Sequence, residues 1–320
     1  MRLASAGWSV LITSRLRGRL SRLSDMLWTV WKSRSNYRVA QVDVYSGLAF
    51  CWAEAVCWML RRAGKPYVLT LHGGNLPEFL RWNKARGIRL FQSAKAVTAP
   101  SRYLLEQVRE YCPGVRLLPN AVELDRYRFS ERRVARPKLV WLRAFHEIYN
   151  PGMAVRVLAL LTKQYPDASL LMVGPDKGDG SLQQVRALAE ELGVAQQLEI
   201  VEGVPKSEVP AWLQKGDILL NTTHIDNMPV GVIEALACGL CVVSTEVGGI
   251  PYLLKNEQDA LLVPNDDAEA MAQAAGRIVA EPELAAQLSR AARRTAEQFD
   301  WSLVLPEWER LLGSLEGVNE

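Results

Sequence analysis

The chain alternates short apolar runs with longer stretches in which apolar residues recur at helical spacing. This alternation is typical of parallel sheets whose faces are covered by helices. In the first half the predicted strands are SVLIT (9–13), RVAQVDVY (38–45), PYVLTLH (66–72), AVTAP (96–100) and VRLLPN (115–120). The helices predicted among them cover residues 17–34, 47–63, 77–91 and 101–111. The first half therefore predicts an α/β domain.

A charged segment closed by proline, SERRVARP (130–137), is predicted to be a linker to a second series. Its predicted strands are KLVWLRA (138–144), SLLMVG (169–174), LEIVEG (198–203), DILLNT (217–222), CVVST (241–245) and ALLVP (260–264). Its predicted long helices cover residues 151–165, 181–193, 229–238, 267–279 and 282–298. We therefore expect an α/β protein with two doubly wound domains, residues 1–135 and 136–300, facing a cleft. Ligands of such sheets bind at the carboxyl ends of the strands.

A basic amphipathic helix is predicted in RLRGRLSRLSDMLWTVWKSR (15–34). Its apolar stripe consists of Leu16, Leu20, Leu23, Leu27 and Trp31, flanked by Arg15, Arg19 and Arg22. A stripe of this kind more often packs into a core, and we favour that interpretation. Basic helices that carry tryptophan also lie on anionic membranes, so peripheral membrane contact is the alternative.

Charge is divided unevenly along a chain of ordinary composition, with 49% apolar and 23% charged residues. Residues 1–135 hold 23 Lys/Arg and 9 Asp/Glu, a balance of +14, whereas the remainder holds 15 and 26, a balance of −11. A basic lobe suggests an anionic partner. A membrane-bound or lipid-linked acceptor would explain it, whereas no nucleic-acid-binding motif accompanies the charge, so we expect no nucleic acid.

No segment predicts a membrane span or a signal peptide. The most apolar segment, residues 47–60, is 14 residues long and contains Glu54. A buried helix explains it better than a span, which needs about 20 apolar residues. We therefore expect a cytoplasmic protein, if membrane-associated then at the inner face.

The five cysteines show no spacing typical of a disulfide framework. Cys238 and Cys241 form a CxxC pair, which we interpret as the end of a helix followed by the start of a strand. A second pair, which a structural zinc site would need, does not accompany it.

Two acids flank a probable helix start in DNMPVGVIEALACG, residues 226–239. Pro229 suits the first helical turn, because its missing N–H would be unpaired there. The free N–H groups and positive dipole end of that helix predict a site for phosphate or hydroxyl groups. Asp226 would lie just outside that end, and Glu234 about one turn further in. The alternative is that Asp226 merely caps the helix and Glu234 is solvated.

Several motifs resemble those of glycosyltransferase family 4, retaining nucleotide-sugar enzymes of the GT-B fold. Asp226 and Glu234 match the family's E-x7-E element, with Asp in place of the first Glu. The further motifs are EALACGLCVVSTEVGGIPYLL (234–254), TLHGG (70–74), APSRYL (99–104), LLPNAVEL (117–124) and ALLVPNDDAEAMA (260–272). The last helical stretch resembles the segment that crosses back onto the first domain, which predicts a third unit at residues 301–320.

The resemblance implies roles for particular residues. Glu234 would hold the donor ribose hydroxyls and Arg143 the diphosphate. Asp226 would hold hydroxyls of the transferred sugar, helped by the backbone of Asn227, Met228 and Val230. His72 would face the reacting sugar as the second catalytic residue, with Gly73, Gly74 and Asn75 as acceptor-side candidates.

The implied reaction is retaining transfer from a UDP- or GDP-linked sugar to an unknown acceptor hydroxyl, for which a lipid-linked glycan is one candidate. Surface polysaccharide or glycolipid assembly is the expected setting. Such a site works by positioning two substrates and stabilising charge. The sequence contains no D-x-D pair to hold a metal on the nucleotide, so we expect no metal and no required cofactor.

The match to the family breaks in two places. A phosphate-binding Lys usually lies about five residues after the Arg, but here Ile148, Tyr149 and Asn150 occupy that neighbourhood. Tyr149 or Asn150, the latter a donor-binding candidate, would donate one hydrogen bond in its place, but neither carries charge. Family members also begin with a strand and a glycine-rich turn, whereas this chain opens on RLASAGWSVLITS. We therefore expect the first domain to lack its first strand–helix unit.

These departures leave alternatives open. The protein is a catalytically impaired or non-catalytic sugar-nucleotide-binding protein if the missing parts are essential. A sugar-nucleotide epimerase of the same fold is a further alternative, which would convert a donor with no acceptor present.

Overall fold

A computed structural model describes residues 2–16 and 18–316. The chain divides into two compact units. The first runs to Asn120 and includes the C-terminal segment that begins at Trp301, and the second is Ala121–Asp300. The boundary therefore lies at residue 120 rather than at the predicted 135. The predicted helix at the C-terminus is α14, Trp301–Glu316, while residues 317–320 lie outside the described part.

The first unit contains a four-stranded parallel sheet in the order β1-β2-β3-β4. Its strands are β1 (Ala40–Val44), β2 (Tyr67–Leu71), β3 (Ala96–Ala99) and β4 (Arg116–Leu117). Every residue of β2 and β3 is buried, as expected for parallel strands covered on both faces. Val44 is in register with Leu71, so the residues that follow β1 and β2 leave the sheet side by side.

The helices of the first unit are α1 (Arg2–Ser5), α2 (Arg19–Lys32), α3 (Leu48–Arg62), α4 (Leu76–Trp82), α5 (Lys84–Gln92), α6 (Arg102–Val108) and α14. The predicted helix over 77–91 is thus two helices, because Asn83 adopts a non-helical conformation between them. The core of this unit packs α2 and α3 against the sheet, with Phe50, Leu60 and Leu69 fully buried.

The predicted strand at residues 9–13 is wrong, since this segment has no regular secondary structure. A segment forms a strand only when its backbone hydrogen-bonds to another strand. Among the described strands β1 pairs with β2 alone, so residues 9–13 do not extend the sheet beyond β1. Val10, Leu11 and Ile12 are consequently about half exposed, at 50%, 51% and 53%.

The basic helix forms as α2 but begins only at Arg19, so Arg15 and Leu16 lie outside it, while Arg17 is not among the described residues. Its apolar stripe is divided between core and solvent. Leu23 and Leu27 are half-buried, whereas Leu20 is 83% exposed and Trp31 is 41% exposed. The expectation that the stripe packs into a core is therefore correct only for its middle part.

The second unit contains a six-stranded parallel sheet in the order β10-β9-β8-β5-β6-β7. Its strands are β5 (Lys138–Leu142), β6 (Ser169–Val173), β7 (Leu198–Val201), β8 (Ile218–Asn221), β9 (Cys241–Thr245) and β10 (Leu261–Val263). All six lie within the predicted runs, which confirms the pattern of a doubly wound sheet.

Helices cover both faces of this sheet. They are α7 (Pro151–Leu161), α8 (Ser181–Glu191), α9 (Val209–Leu213), α10 (Val230–Cys238), α11 (Ile250–Leu253), α12 (Ala268–Ala280) and α13 (Pro282–Glu297). Alternate residues of β5 enter two cores, with Leu139 and Trp141 in one and Val140 in the other. All five predicted long helices are confirmed, while the short helices α9 and α11 were missed.

The segment predicted as a linker, residues 130–137, packs closely on the second unit instead. Arg132 is 5% exposed and donates through Nη1 to the Cys238 carbonyl (2.7 Å) and through Nη2 to the Gly216 carbonyl (2.9 Å). Its Nε lies 3.4 Å from Oδ1 of Asp217, which is also buried. The last carbonyl group of α10, that of Cys238, needs a donor, and Arg132 supplies it. The charge of this segment thus includes a buried ion pair, Arg132 with Asp217, rather than only solvated side chains.

We expect Arg132→Met to lower the free energy of unfolding by about 3 kcal/mol, because Asp217 and two carbonyl groups would lose a buried partner. Urea denaturation measures this difference. Arg133→Ala is the matched control, since that side chain is 83% exposed and pairs only with Glu131 among the described residues. Similar losses in both variants would contradict a structural role for Arg132.

Candidate functional site

Polar side chains converge where strands β5 and β8 of the second sheet end. Arg143 directly follows β5 and forms an ion pair with Asp226. Its Nε and Nη2 also lie 3.4 and 3.3 Å from Oδ1 of Asn221, the last residue of β8. The guanidinium lies over the ring of Tyr149, 5.1 Å from the ring centroid. A Cβ on Gly174 would lie 1.6 Å from the carbonyl oxygen of Arg143, so only glycine fits beside it.

Glu234 lies on α10, beyond its first turn, and is 6% exposed. Its Oε1 accepts a hydrogen bond of 2.7 Å from the hydroxyl of Tyr127. Burial raises the pKa of the Glu234 carboxyl, while the Tyr127 hydroxyl and the charges of Lys206 and Arg143 act in the opposite direction. The carboxyl is therefore buried close enough to two cations to sense their field. Its solvated alternative is excluded by this burial.

Asp226 precedes α10 but does not cap it, because no side chain accepts from the first turn of that helix. Its Oδ1 instead accepts from the N–H of Asn227 at 2.8 Å. Pro229 lies at the N-cap rather than in the first turn, and α10 begins at Val230. The N-terminal N–H groups of α10 thus have no side-chain acceptor among the described residues. That this helix end binds phosphate or hydroxyl groups stays a prediction.

Two glycines hold the loop that carries Asp226. The N–H of Gly249 donates to the carbonyl of Asp226 at 2.9 Å. A Cβ on Gly249 would lie 1.8 Å from the carbonyl oxygen of Asn227, and one on Gly248 would lie 2.2 Å from that of Asp226. Sequence reasoning gave these glycines no role at the site. The available signal was their place in EVGGIP, part of the family-like motif at residues 234–254.

Asn227 and Met228 are buried beside Asp226, and Val230 is half-buried at the start of α10. Asn150 is placed differently. It adopts a left-handed backbone conformation with φ of 45° at the N-cap of α7, and its amide donates to Oδ1 of Asp266 at 2.7 Å. Its neighbour Tyr149, rather than Asn150, contacts Arg143.

In the first unit, His72 directly follows β2. Its Nε2 lies 3.1 Å from Oδ1 of Asp43, and its ring stacks on Tyr45 with centroids 5.0 Å apart. Gly73 has φ of +85°, which lets the chain turn away from the strand. Gly74 and Asn75 follow before α4 begins. Asp43 and Tyr45 were missed because VDVY was interpreted only as a strand, although its alternating polar residues were the available signal.

Cys238 and Cys241 are both buried. Burial raises the pKa of Cys238 to about 11 and that of Cys241 to about 12. Their thiols therefore stay protonated near neutral pH, in keeping with the structural interpretation. Within the described ranges, His, Cys, Asp and Glu side chains form no group of three that could hold a metal ion. That no metal is required stays a prediction.

Comparison with known families identifies the chain. Residues 125–295 match the family model described as Glycosyl transferases group 1, which is more than half of the sequence. The chain belongs to that family. Residues 3–126 match a second model, Glycosyltransferase Family 4. The resemblance to glycosyltransferase family 4 is therefore confirmed.

Two curated relatives illustrate the family. D-inositol 3-phosphate glycosyltransferase of Saccharomonospora viridis is 30% identical over 204 residues, covering 59% of this chain and 47% of the relative. A GDP-mannose-dependent alpha-(1-6)-phosphatidylinositol monomannoside mannosyltransferase of Mycolicibacterium smegmatis is 28% identical over 266 residues, covering 76% and 69%. The chain spans about half the length of the inositol-phosphate relatives that it matches first.

Solved structures share the fold. Sucrose-phosphate synthase from Thermosynechococcus elongatus aligns with a TM-score of 0.80 and 19% identity, over 94% of this chain and 80% of that one. Anabaena HepE in complex with UDP-glucose aligns with a TM-score of 0.77 and 16% identity, over 93% and 84%. The predicted α/β class and GT-B fold are therefore confirmed.

We expect Gly249→Ala to lower the free energy of unfolding by about 1–3 kcal/mol, because its Cβ would collide with the carbonyl oxygen of Asn227. Urea denaturation measures the loss. Gly152→Ala is the control in the same unit, since its Cβ would meet Arg156 and Leu188 at ordinary contact distances of 3.5 and 3.6 Å. Equal stability of the two variants would rule out the close approach.

Proposed function

We propose that the protein transfers a sugar from a nucleoside-diphosphate sugar to an acceptor hydroxyl. The observation that carries this proposal is that Arg143, Asp226 and buried Glu234 lie close together, near the carboxyl ends of strands β5 and β8, in a chain of this family. A UDP- or GDP-linked donor is supported by HepE, solved with UDP-glucose, and by a relative named as GDP-mannose-dependent.

Each group then has a chemical task. The diphosphate of the donor would replace Asp226 as the partner of Arg143, because the guanidinium's fork of N–H donors suits phosphate oxygens. Asp226 would then accept hydrogen bonds from hydroxyls of the transferred sugar, which would also contact the backbone of Asn227, Met228 and Val230. Glu234 would accept hydrogen bonds from the ribose hydroxyls. The positive end of α10 adds to the stabilisation of the departing diphosphate.

Retention is the stereochemical outcome that the family resemblance implies. The bond between the anomeric carbon and the diphosphate oxygen breaks, and the acceptor oxygen forms its bond on the same face. The acceptor proton passes to the departing phosphate. This scheme uses positioning and charge stabilisation and needs no enzyme nucleophile.

His72 is proposed to contact the reacting sugar. Its ring is held from two sides, by the carboxylate of Asp43 and by stacking on Tyr45. A ring held in this way loses little conformational entropy when a substrate binds. Gly73, Gly74 and Asn75, which follow it, remain the candidates for the acceptor side.

We expect Arg143→Ala to weaken binding of UDP or GDP by about 100-fold, because one charge-assisted contact to the diphosphate is worth about 1.5–3 kcal/mol. Isothermal titration calorimetry measures the dissociation constants. Arg294→Ala removes an equally charged, exposed side chain of the same unit and should leave binding unchanged.

Product analysis distinguishes the activities. Release of nucleoside diphosphate that requires an acceptor supports transfer. Conversion of the donor sugar with no acceptor present would indicate an epimerase, and nucleotide binding without turnover would indicate a non-catalytic protein. Binding that is unaffected by Arg143→Ala would exclude the proposed donor site.

The acceptor is proposed to be lipid-linked, presented by an anionic membrane. A relative named for a phosphatidylinositol monomannoside supports a lipid acceptor. The exposed part of α2 suits such a surface, because Leu20 and Trp28 are 83% and 62% exposed and Arg34 lies over the ring of Trp31. Apolar side chains beside basic ones bind anionic interfaces. None of the helices described in 2–16 and 18–316 has the length and apolar character needed to cross a bilayer.

We expect the double variant Trp28→Ser/Trp31→Ser to bind vesicles of phosphatidylglycerol roughly tenfold more weakly, because two aromatic side chains would lose apolar burial. Cosedimentation measures the bound fraction. Trp82→Ser is the control, since Trp82 is 83% exposed on α4 and donates to Glu78. Equal binding of wild type and double variant would exclude this surface.

A further inference from the structure

The carboxylate of Glu234 accepts a hydrogen bond from a buried tyrosine, Tyr127. The Tyr127 hydroxyl donates to Oε1 at 2.7 Å, and the two residues are 4% and 6% exposed. Tyr127 lies 107 positions before Glu234 in the sequence. The contact connects the first residues of the second unit to the middle of α10. The sequence does not reveal it, because the two residues are far apart and belong to different motifs.

The position of Tyr127 is set by its backbone as well as by its hydroxyl. It directly follows a short helical turn, Leu124–Arg126. Its carbonyl accepts from Nη1 of Arg293 at 3.2 Å, and the same nitrogen donates to the carbonyl of Ala237, near the end of α10, at 2.9 Å. Arg293 therefore clamps Tyr127 to the helix that carries Glu234. The hydroxyl is preorganised towards one oxygen of the carboxylate.

The other oxygen of Glu234, Oε2, accepts no hydrogen bond from any residue that the structure describes. Among the described side chains, the fully buried polar atom without a partner is Oε1 of Gln197, so Oε2 of Glu234 is not fully enclosed and a ligand can reach it. A buried carboxylate requires further donors, and a pair of vicinal hydroxyls would supply them. We propose that Tyr127 is a positioning residue for the donor nucleotide. Its hydroxyl orients Glu234 so that the carboxylate receives the ribose hydroxyls. This inference rests on the proposed function.

The charges around the carboxylate are compatible with this role. Burial raises the pKa of Glu234, and the hydrogen bond from Tyr127 and the charges of Lys206 after β7 and Arg143 at the end of β5 oppose that rise in part. Cys238, on α10 itself, is a neutral thiol, because burial raises its pKa to about 11. Burial and the charge of Glu234 both raise the pKa of the Tyr127 hydroxyl. The phenol therefore stays protonated and can only donate its hydrogen to Glu234 at neutral pH.

Tyr127→Phe tests the inference, because it removes the hydroxyl and keeps the ring. We expect its dissociation constant for UDP or GDP, by calorimetry, to be about tenfold higher than that of wild type. For the 2′,3′-dideoxy analogues, which lack the ribose hydroxyls, the two proteins should bind equally. Tyr165→Phe is the control, since the Tyr165 hydroxyl is 3.5 Å from the Gly276 carbonyl in the same unit.

Two further measurements keep the test independent of folding. Glu234→Asp keeps the charge but withdraws the carboxylate from Tyr127, and should lose about as much affinity for UDP or GDP as Tyr127→Phe. The pH dependence supplies the second measurement. The carboxylate form is needed to accept hydroxyls, so affinity falls as pH drops through the pKa of Glu234. Without the tyrosine hydroxyl that pKa rises, and the fall should begin at higher pH.

The outcomes are distinct. A Tyr127→Phe protein that binds UDP and GDP as wild type does, with an unshifted pH profile, would overturn the inference while leaving the proposed function intact. An equal loss for the dideoxy analogues would also overturn it, since the tyrosine would then act on the fold rather than on the ribose. If wild type binds neither nucleotide, both proposals are overturned.

Discussion

The ion pair between Arg143 and Asp226 is the interaction on which the candidate site depends. It joins the end of β5 to the loop that enters α10, and both side chains are largely buried, at 15% and 13% exposure. For such a pair, loss of solvation offsets much of the Coulombic attraction. In the proposed mechanism, Arg143 therefore exchanges Asp226 for a phosphate group of the donor at modest cost.

In both units, polar side chains lie together at the edge of the sheet where the parallel strands end. In a parallel sheet all carboxyl ends lie on one edge, so residues far apart in sequence emerge together. Arg143 and Asn221 meet at that edge in the second unit, and His72 and Asp43 meet at it in the first. The backbone around Asp226 then reaches its position only because Gly249 and Gly248 leave room for it.

The segment that connects the two series of predicted elements makes structural contacts of its own. Arg132, in the predicted linker, donates to the carbonyl of Cys238, the last residue of α10, and the hydroxyl of Tyr127, five residues earlier, donates to the Glu234 carboxylate in the middle of that helix. Both contacts lie within the second unit, where residues from 121 onwards pack as part of the domain. The segment 127–132 therefore supports α10 at Glu234 and at its C-terminal end, and it helps to position the Glu234 carboxylate that we assign to the ribose.

The sequence by itself determined the fold class, the strands and long helices of the second unit, and the placing of Arg143 after a strand, Asp226 before a helix and Glu234 within that helix. Those features depend on local periodicity and on motifs, which a single chain displays. Only the tertiary structure decided that residues 9–13 form no strand, that Arg132 is buried, that Asn150 binds Asp266 and that Tyr127 meets Glu234. Each depends on a partner, or on the lack of one, among residues distant in sequence, which local periodicity does not encode.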